Sequence, residues 1–383
     1  MPHTCILSSV HAALDNRVFY REARSLHAAG YRVTLIAVHP RDETKDGIEI
    51  VGLPRVRRWL RPLLWLRLLR LALGTRADIF HFHDPELLLV TPWLRLLSGR
   101  PVIYDVHESY PEFVEVKEYL PKALRGAVAW LLRRLEPALA RLQSGLIFSD
   151  TQIAGAFAGV ARPKETLYNL PERSFVEAGA AAAASHAPRD PVVLYLGGME
   201  RNRGSRLMVQ AFQLVLQAMP GATLLVVGHF EPAGLEEEIR ADAGRLGVSG
   251  ALHITGRVPF EEIGRYLARS AVGWVPWQAV PKNEKNVPTK LFEYMAFGLP
   301  VVSSDLASTR SFVRDGDNGY LVAAADPQAH AGAILRLLRD SAAARAMGNR
   351  GQAHVHDDWN WDEMGRRLLR FYELVLAGRQ GRR

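Results

Sequence analysis

The constraint that most limits the fold is an alternation running twice through the chain: short, nearly uninterrupted apolar runs separated by segments with helical periodicity. Runs of this kind fit strands covered on both faces, and strands spaced by helices form βαβ units with a parallel sheet. In the first half the runs are residues 4–10, 33–37, 79–83, 102–106 and 146–149, with helices expected over about 17–29 and 122–141. In the second half they are 192–196, 223–227, 253–255, 272–275 and 301–303, with helices over about 205–218, 260–269 and 289–297. Two doubly wound α/β domains account for this pattern most simply. Between them, residues 177–190 lack large apolar side chains at any periodic spacing and read as an interdomain linker or a weak helix. The expected organisation is a first domain over 1–175, a linker over 176–190, a second domain over 191–358, and a tail over 359–383 whose amphipathic helix packs back on the body.

With 383 residues, 48% of them hydrophobic, the chain has ample material for two cores, which excludes wholesale disorder. Its one cysteine, Cys5, rules out an internal disulfide framework and a multi-cysteine zinc site, and fits a reducing cytoplasm. Residues 1–7 do not have the form of a secretory leader, and no apolar run approaches the roughly 18 residues of a membrane span.

The formal charge of +8 is unevenly spread. Residues 1–175 hold 24 Lys and Arg against 18 Asp and Glu, and the remainder 24 against 22. Most of the excess lies in residues 54–76, where Arg55, Arg57, Arg58, Arg61, Arg67, Arg70 and Arg76 occur among Trp and Leu without a single acid. That composition reads equally as an interfacial helix drawn to anionic lipid and as a domain helix buried on its leucines. Nucleic-acid binding is a poorer fit, because the charge sits in one leucine-rich segment without base-stacking motifs.

In open parallel sheets ligands gather at the carboxyl ends of the strands, and four segments fall there. Residues 194–205 combine a strand, the adjacent Gly197 and Gly198, and Arg203 at the expected helix entrance; glycine lets backbone approach a phosphate and arginine pairs with it, although a Gly-Gly pair is also simply a turn. Residues 286–305 place Pro288, a Thr289 N-cap, Lys290, Leu291 and Glu293 at a helix start; Glu293 there either complements the helix dipole or accepts the hydroxyls of a ribose. The runs ending in His81, His83 and Asp84, and in Asp105, His107 and Glu108, set histidine beside carboxylate. His81 and His83 share a face, which suits a metal or a polar cleft wall; with no third ligand at an evident spacing the wall is favoured and no metal is expected. Fourth, the first strand leads into His11, Asp15, Asn16 and Arg17, where Asn16 and Arg17 are candidates for phosphate or acceptor contact and Asp15 or Asn16 for helix capping.

These residues together resemble retaining glycosyltransferase family 4, and within it bacterial exopolysaccharide and O-antigen assembly enzymes. The resemblance spans nearly the whole chain: 11–17, 22–34, 81–85 and 104–107 in the first half, and 197–204, Gly228, 256–259, 292–302 and 315–321 with Trp359 and Trp361 in the second. The block at 292–302 is the most specific. The resemblance implies the GT-B fold, an α/β architecture of two Rossmann-like doubly wound domains facing each other across a cleft. It implies a donor set of Gly197, Gly198, Arg203, Pro288, Lys290, Leu291 and Glu293. Arg203 would hold the diphosphate, and Glu293 matches the second glutamate of the family's E-x7-E motif, which binds ribose. His107 matches a histidine lying over the donor sugar, so that His107, Arg203 and Lys290 form the catalytic set. His11, Asn16, Arg17 and His83 are left for the acceptor side or a phosphate loop.

Two departures stand out. Lys285 occupies the place of the motif's first glutamate, with Glu284 beside it, and Gly198 stands where many members have arginine. Asp315 and Asp317 resemble the metal-binding pair of the other glycosyltransferase fold but match a turn of this family. The implied reaction is metal-independent and needs no cofactor beyond a nucleotide diphosphate sugar as co-substrate. The acceptor is expected to be a glycan or a polyprenyl-linked sugar, with no nucleic-acid partner, and the location cytoplasmic, with residues 54–76 able to hold the enzyme at the inner face of the plasma membrane. A sugar-nucleotide epimerase or phosphorylase on the same fold is the nearest competing reading.

Overall fold

The apolar runs pair in parallel, as their burial on both faces requires. The computed structural model describes residues 1–115, 121–184 and 189–380, and its contacts divide into unit 1, Met1–Asn169 with the chain from Trp361 onward, and unit 2, Leu170–Asn360.

In unit 1 the strands are β1 (His3–Ala12), β2 (Arg32–Val38), β3 (Glu43–Lys45), β4 (Ile48–Leu53), β5 (Ile79–Phe82), β6 (Val102–Val106), β7 (Gly145–Phe148) and β8 (Lys164–Thr166). They lie in the order β3-β4-β2-β1-β5-β6-β7-β8, parallel except for the short edge strand β3. Thr4 pairs with Val33 on one side and Ile79 on the other, so β1 is the point from which the order runs outward both ways. A core of Cys5, Leu7, Phe80, Phe82, Tyr104 and Phe148 packs against one face, with the Phe82 and Tyr104 rings stacked 4.7 Å apart.

The C-terminal helix, Trp361–Gln380, belongs to this unit. Phe371 and Val375 fill the space over Gly145, where an added Cβ would stand 2.8 Å from the Phe371 ring, and Tyr372 is buried against β1 and β5. The tail thus completes the first unit's core.

Unit 2 holds β9 (Val192–Leu196), β10 (Thr223–Val227), β11 (Leu252–Gly256), β12 (Val272–Val275), β13 (Val301–Ser304) and β14 (Gly319–Val322), in the order β11-β10-β9-β12-β13-β14 with every pairing parallel. Here β9 is the switch strand.

Of the two readings of the stretch at 176–190, linker or weak helix, its described part up to Ala184 takes the helical one. Residues 173–184 form the helix Arg173–Ala184, which belongs to unit 2, and the division falls earlier, between Asn169 and Leu170. Its small side chains permit close packing: an added Cβ on Gly179 would meet the Ala296 carbonyl oxygen at 2.3 Å. Residues 185–188 of the expected linker and 381–383 of the tail lie outside the described residues.

Candidate active site

Unit 2 gathers basic side chains around the turn that follows its switch strand. Gly197 and Gly204 have φ of +98° and +82°, and a Cβ on Gly204 would come within 1.8 Å of the Pro276 carbonyl oxygen, so this path requires glycine. Arg203 lies in the 3-10 turn Arg201–Arg203 rather than at the entrance of helix Ser205–Ala218. Its Nη1 donates to the Gly198 carbonyl at 2.8 Å and its Nη2 pairs with Glu200 Oε1 at 2.8 Å.

Lys290 begins helix Lys290–Ala296 and is buried. Its Nζ donates to Tyr195 Oη at 3.2 Å, and Tyr195 O–H donates in turn to the Gly198 carbonyl at 2.9 Å. Burial, and then the Arg203 charge, hold the Lys290 amine well below its ordinary value. His229, just beyond β10, completes the ring: its Cε1 would lie 3.0 Å from a Cβ at Gly198. Sequence reading passed over His229, although a Gly-His pair directly after an apolar run was the available signal.

The rest of the expected donor set is placed unevenly. Glu293 is half-buried one turn beyond Lys290. Pro288 is buried and Leu291 fully so, which makes the Leu291 side chain core rather than ligand contact. Thr289 has helical backbone angles and makes no side-chain capping bond, contrary to its expected N-cap role.

In unit 1 the carboxyl ends of β1, β5 and β6 bring together a buried charged cluster. The π-helical segment Asn16–Ala23, capped by the Asp15 carboxylate on the Arg17 and Val18 amides, turns Arg17 and Glu22 inward. Arg17 clasps Asp105 through Nε and Nη2 at 2.9–3.1 Å, lies 2.9 Å from Glu22 Oε1, and donates to the Leu167 carbonyl at 2.7 Å. It is 4% exposed, so the expected acceptor contact gives way to a buried ion pair, while Asn16 stays exposed and Asp15 does the capping.

Burial opposes the Asp105 charge, but the Arg17 guanidinium and then His107 hold that carboxyl well below the usual range. Glu22 is pushed well above it by burial and by Asp105. His81, at about 4, and His83, well below its ordinary value, are kept neutral chiefly by burial. His83 is therefore no solvent-facing contact: it is fully buried, with Nδ1 2.8 Å from His107 Nε2. His107 and His11 reach solvent, their rings 5.3 Å apart. His11 Nδ1 meets Asp84 at 3.0 Å; burial works against its charge, and the hydrogen bond and charge of Asp84 raise it nonetheless. Asp84 is fixed by Ser8 Oγ and the Ser9 and Val10 amides.

Glu22, His81, His83 and Asp105 could each offer one atom to a metal, all within 4.8 Å of one another. Of the two carboxylates, Asp105 stood beside a histidine in the sequence, whereas Glu22 gave no spacing signal. Arg17 already lies against both, however, and supplies the positive charge the cluster needs.

Two family models match the chain: "Glycosyl transferase 4-like domain" over residues 16–169 and "Glycosyl transferases group 1" over 190–340. A phosphatidyl-myo-inositol mannosyltransferase of Mycobacterium tuberculosis (strain CDC 1551 / Oshkosh) is 30% identical over 308 residues, 78% of this chain and 74% of that one. The chain belongs to the family 4-like glycosyltransferases of the GT-B fold. A D-inositol 3-phosphate glycosyltransferase of Segniliparus rotundus is 31% identical over 204 residues, where the match spans 53% of this chain and 44% of that protein. Among solved structures, a sucrose-phosphate synthase from Thermosynechococcus elongatus has a TM-score of 0.77 at 20% identity, covering 98% of this chain and 99% of that one. Anabaena HepE in complex with UDP and glucose has 0.71 at 16%, covering 97% and 99%. These two likenesses establish the fold.

Membership of this family favours the glycosyltransferase reading over the epimerase, phosphorylase and nucleic-acid ones. Its departures from the family pattern acquire local explanations. At Gly198 the room an arginine would need is taken by His229. Glu284, beside the missing first glutamate, directs Oε2 to the Ala307 amide at 2.7 Å and so serves the start of helix Ala307–Arg310. Asp315 accepts from the Leu321 amide and Asp317 pairs with Arg350 at 2.7 Å, the bonding of a turn.

Proposed function

We propose that this glycosyltransferase moves a sugar from a nucleotide diphosphate donor, seated on unit 2, to a hydroxyl of a glycan or lipid-linked acceptor, with retention at the anomeric carbon and without a metal. The observation that carries the reading is the pairing of Arg203 with buried Lys290 around the glycine turn after β9. Preorganised cations aimed at a leaving diphosphate stabilise the charge that develops there, and they do so without a metal ion. Glu293, one turn from Lys290, takes the ribose.

The carboxylates clustered in unit 1 are buried and committed, Asp105 to Arg17 and Asp84 to His11, which disfavours a covalent glycosyl-enzyme. Attack on the front face follows. The bond from the anomeric carbon to the phosphate oxygen breaks with its electron pair on the phosphate, the acceptor oxygen bonds to the same face, and its proton passes to the departing phosphate.

The role proposed for the reaction is assembly of bacterial cell-surface polysaccharide at the cytoplasmic face of the membrane. Helix Arg61–Thr75 supports this placement: it buries Leu64, Leu68 and Ala72 while Leu63, Leu66, Arg67 and Arg70 face solvent beside exposed Trp59. No helix among the described residues is long and apolar enough to cross a membrane, so the contact would be peripheral. The proton coupling constant at the new glycosidic carbon, measured by NMR on product from an α-linked donor, tests the reaction: an α product agrees, and a β product overturns retention.

A further inference from the structure

Lys290 is 5% exposed, yet its surroundings are poor ones for an ammonium ion. Of its three N–H donors, one finds a partner among the described residues, Tyr195 Oη at 3.2 Å, whose own hydrogen is committed to the Gly198 carbonyl. The Tyr195 and Trp277 rings wall it at 4.4 and 5.0 Å. No carboxylate lies within ion-pair distance among the described residues.

The charged and titratable groups facing it are few. Arg203, from the turn after β9, shares the Trp277 ring at 5.4 Å and is a like charge. Glu200, from the same turn, is divided between Arg203 at 2.8 Å and Lys282 at 3.4 Å. Tyr195 comes from β9, Glu293 from the next turn of the lysine's own helix, and His229 from the end of β10 across Gly198. Taking an ammonium out of water is costly unless charge and hydrogen bonds replace the solvent, and one hydrogen bond with two ring faces replaces only part of it.

We propose that donor binding is proton-coupled: Lys290 stands as a neutral amine in the free protein and takes a proton from solvent when the donor's diphosphate arrives beside it. The inference rests on the reading of this turn as the diphosphate seat. The lysine's depressed proton affinity agrees with it. An arginine in its place would be charged in both states, so the choice of lysine is what creates the coupling. In the free protein Arg203, already paired with Glu200, then meets no second full charge at Lys290 until the diphosphate arrives.

The test is isothermal titration calorimetry of UDP, GDP and ADP at about pH 8, where the nucleotide phosphates are ionised, in buffers of low and high ionisation enthalpy. The nucleotide that binds should take up about one proton, and its affinity should fall by up to about tenfold per pH unit as pH is raised through the coupled range. Lys290→Arg should lose both the uptake and the slope, while His229→Gln keeps them. Heat independent of buffer, uptake that persists in Lys290→Arg, or uptake lost in His229→Gln would overturn the proposal while leaving the donor seat intact. Should Lys290→Arg not bind, the wild type and His229→Gln decide between the two side chains. Failure of all three nucleotides to bind wild type would overturn the donor seat itself.

Discussion

His83 Nδ1 stands 2.8 Å from His107 Nε2, and this contact ties an imidazole that reaches solvent to a fully buried one. One of the two nitrogens must carry the hydrogen, so each ring fixes the tautomer of the other. Because burial keeps His83 neutral, the pair holds the His107 ring in one orientation, with Asp105 Oδ2 3.5 Å from the same nitrogen. His83→Phe should therefore lower kcat by up to about 10²-fold through misorientation of His107, with nucleotide affinity unchanged. Steady-state kinetics with parallel thermal melts check it; full activity in a stable His83→Phe protein would show that the contact is incidental.

Arg17 is the counter-ion of two buried carboxylates. Arg17→Met leaves Asp105 without its guanidinium in a fully buried site, and unit 1 should lose about 3–5 kcal/mol of stability. Urea titration followed by tryptophan fluorescence measures this. A loss under about 1 kcal/mol would place the charge balance elsewhere.

His330 on helix Pro327–Arg339 accepts from Trp274 Nε1 at 3.0 Å and is held near 4, mainly by burial. Its folded value lies below its unfolded one, so between about pH 4 and 6.5 the unfolded chain binds the extra proton and stability of unit 2 rises with pH, levelling off above that window. Denaturation midpoints across this range should flatten in His330→Gln. An identical slope in wild type and variant would rule His330 out as the titrating group.

Exposed Trp59, Leu63 and Leu66, with Arg67 and Arg70, should bind vesicles containing anionic lipid, and binding should weaken between low salt and about 0.5 M, where charges are screened beyond about 4 Å. Adjacent helix Thr91–Ser98 exposes Trp93, Leu96 and Leu97 and enlarges the surface. Co-sedimentation with Trp59→Ser and with Arg67 and Arg70 neutralised decides the matter. Absence of binding at low salt, or variants that bind as wild type does, would reject the membrane role.

Most strands were legible because parallel strands covered on both faces are largely apolar, as β9 is throughout and as β1 and β6 are over Cys5–Leu7 and Val102–Tyr104. Strands β3, β4, β8 and β14 were not: Glu43–Lys45 and Lys164–Thr166 bury little, and Ile48–Leu53 and Gly319–Val322 are only partly covered, so none carries a long continuous apolar run. The alanine-rich helix at 173–184 was legible only as the weak-helix alternative to a linker, because its packing depends on small side chains, which have no apolar period. At the sites, residue identity was readable and burial was not. Arg17 stood out as a cation near a strand end, but its two carboxylate partners come from Glu22, five residues on, and Asp105, far away in sequence. Lys290 likewise reads as an exposed helix-start residue until Tyr195 and Trp277 are seen to enclose it.

The most direct test of the donor assignment is calorimetric titration of wild type, Arg203→Ala and Glu293→Ala with UDP, GDP and ADP. We predict that one nucleotide binds wild type and that each variant weakens it by at least about tenfold, the loss of one charge-assisted hydrogen bond. Wild-type affinity in both variants would contradict the account.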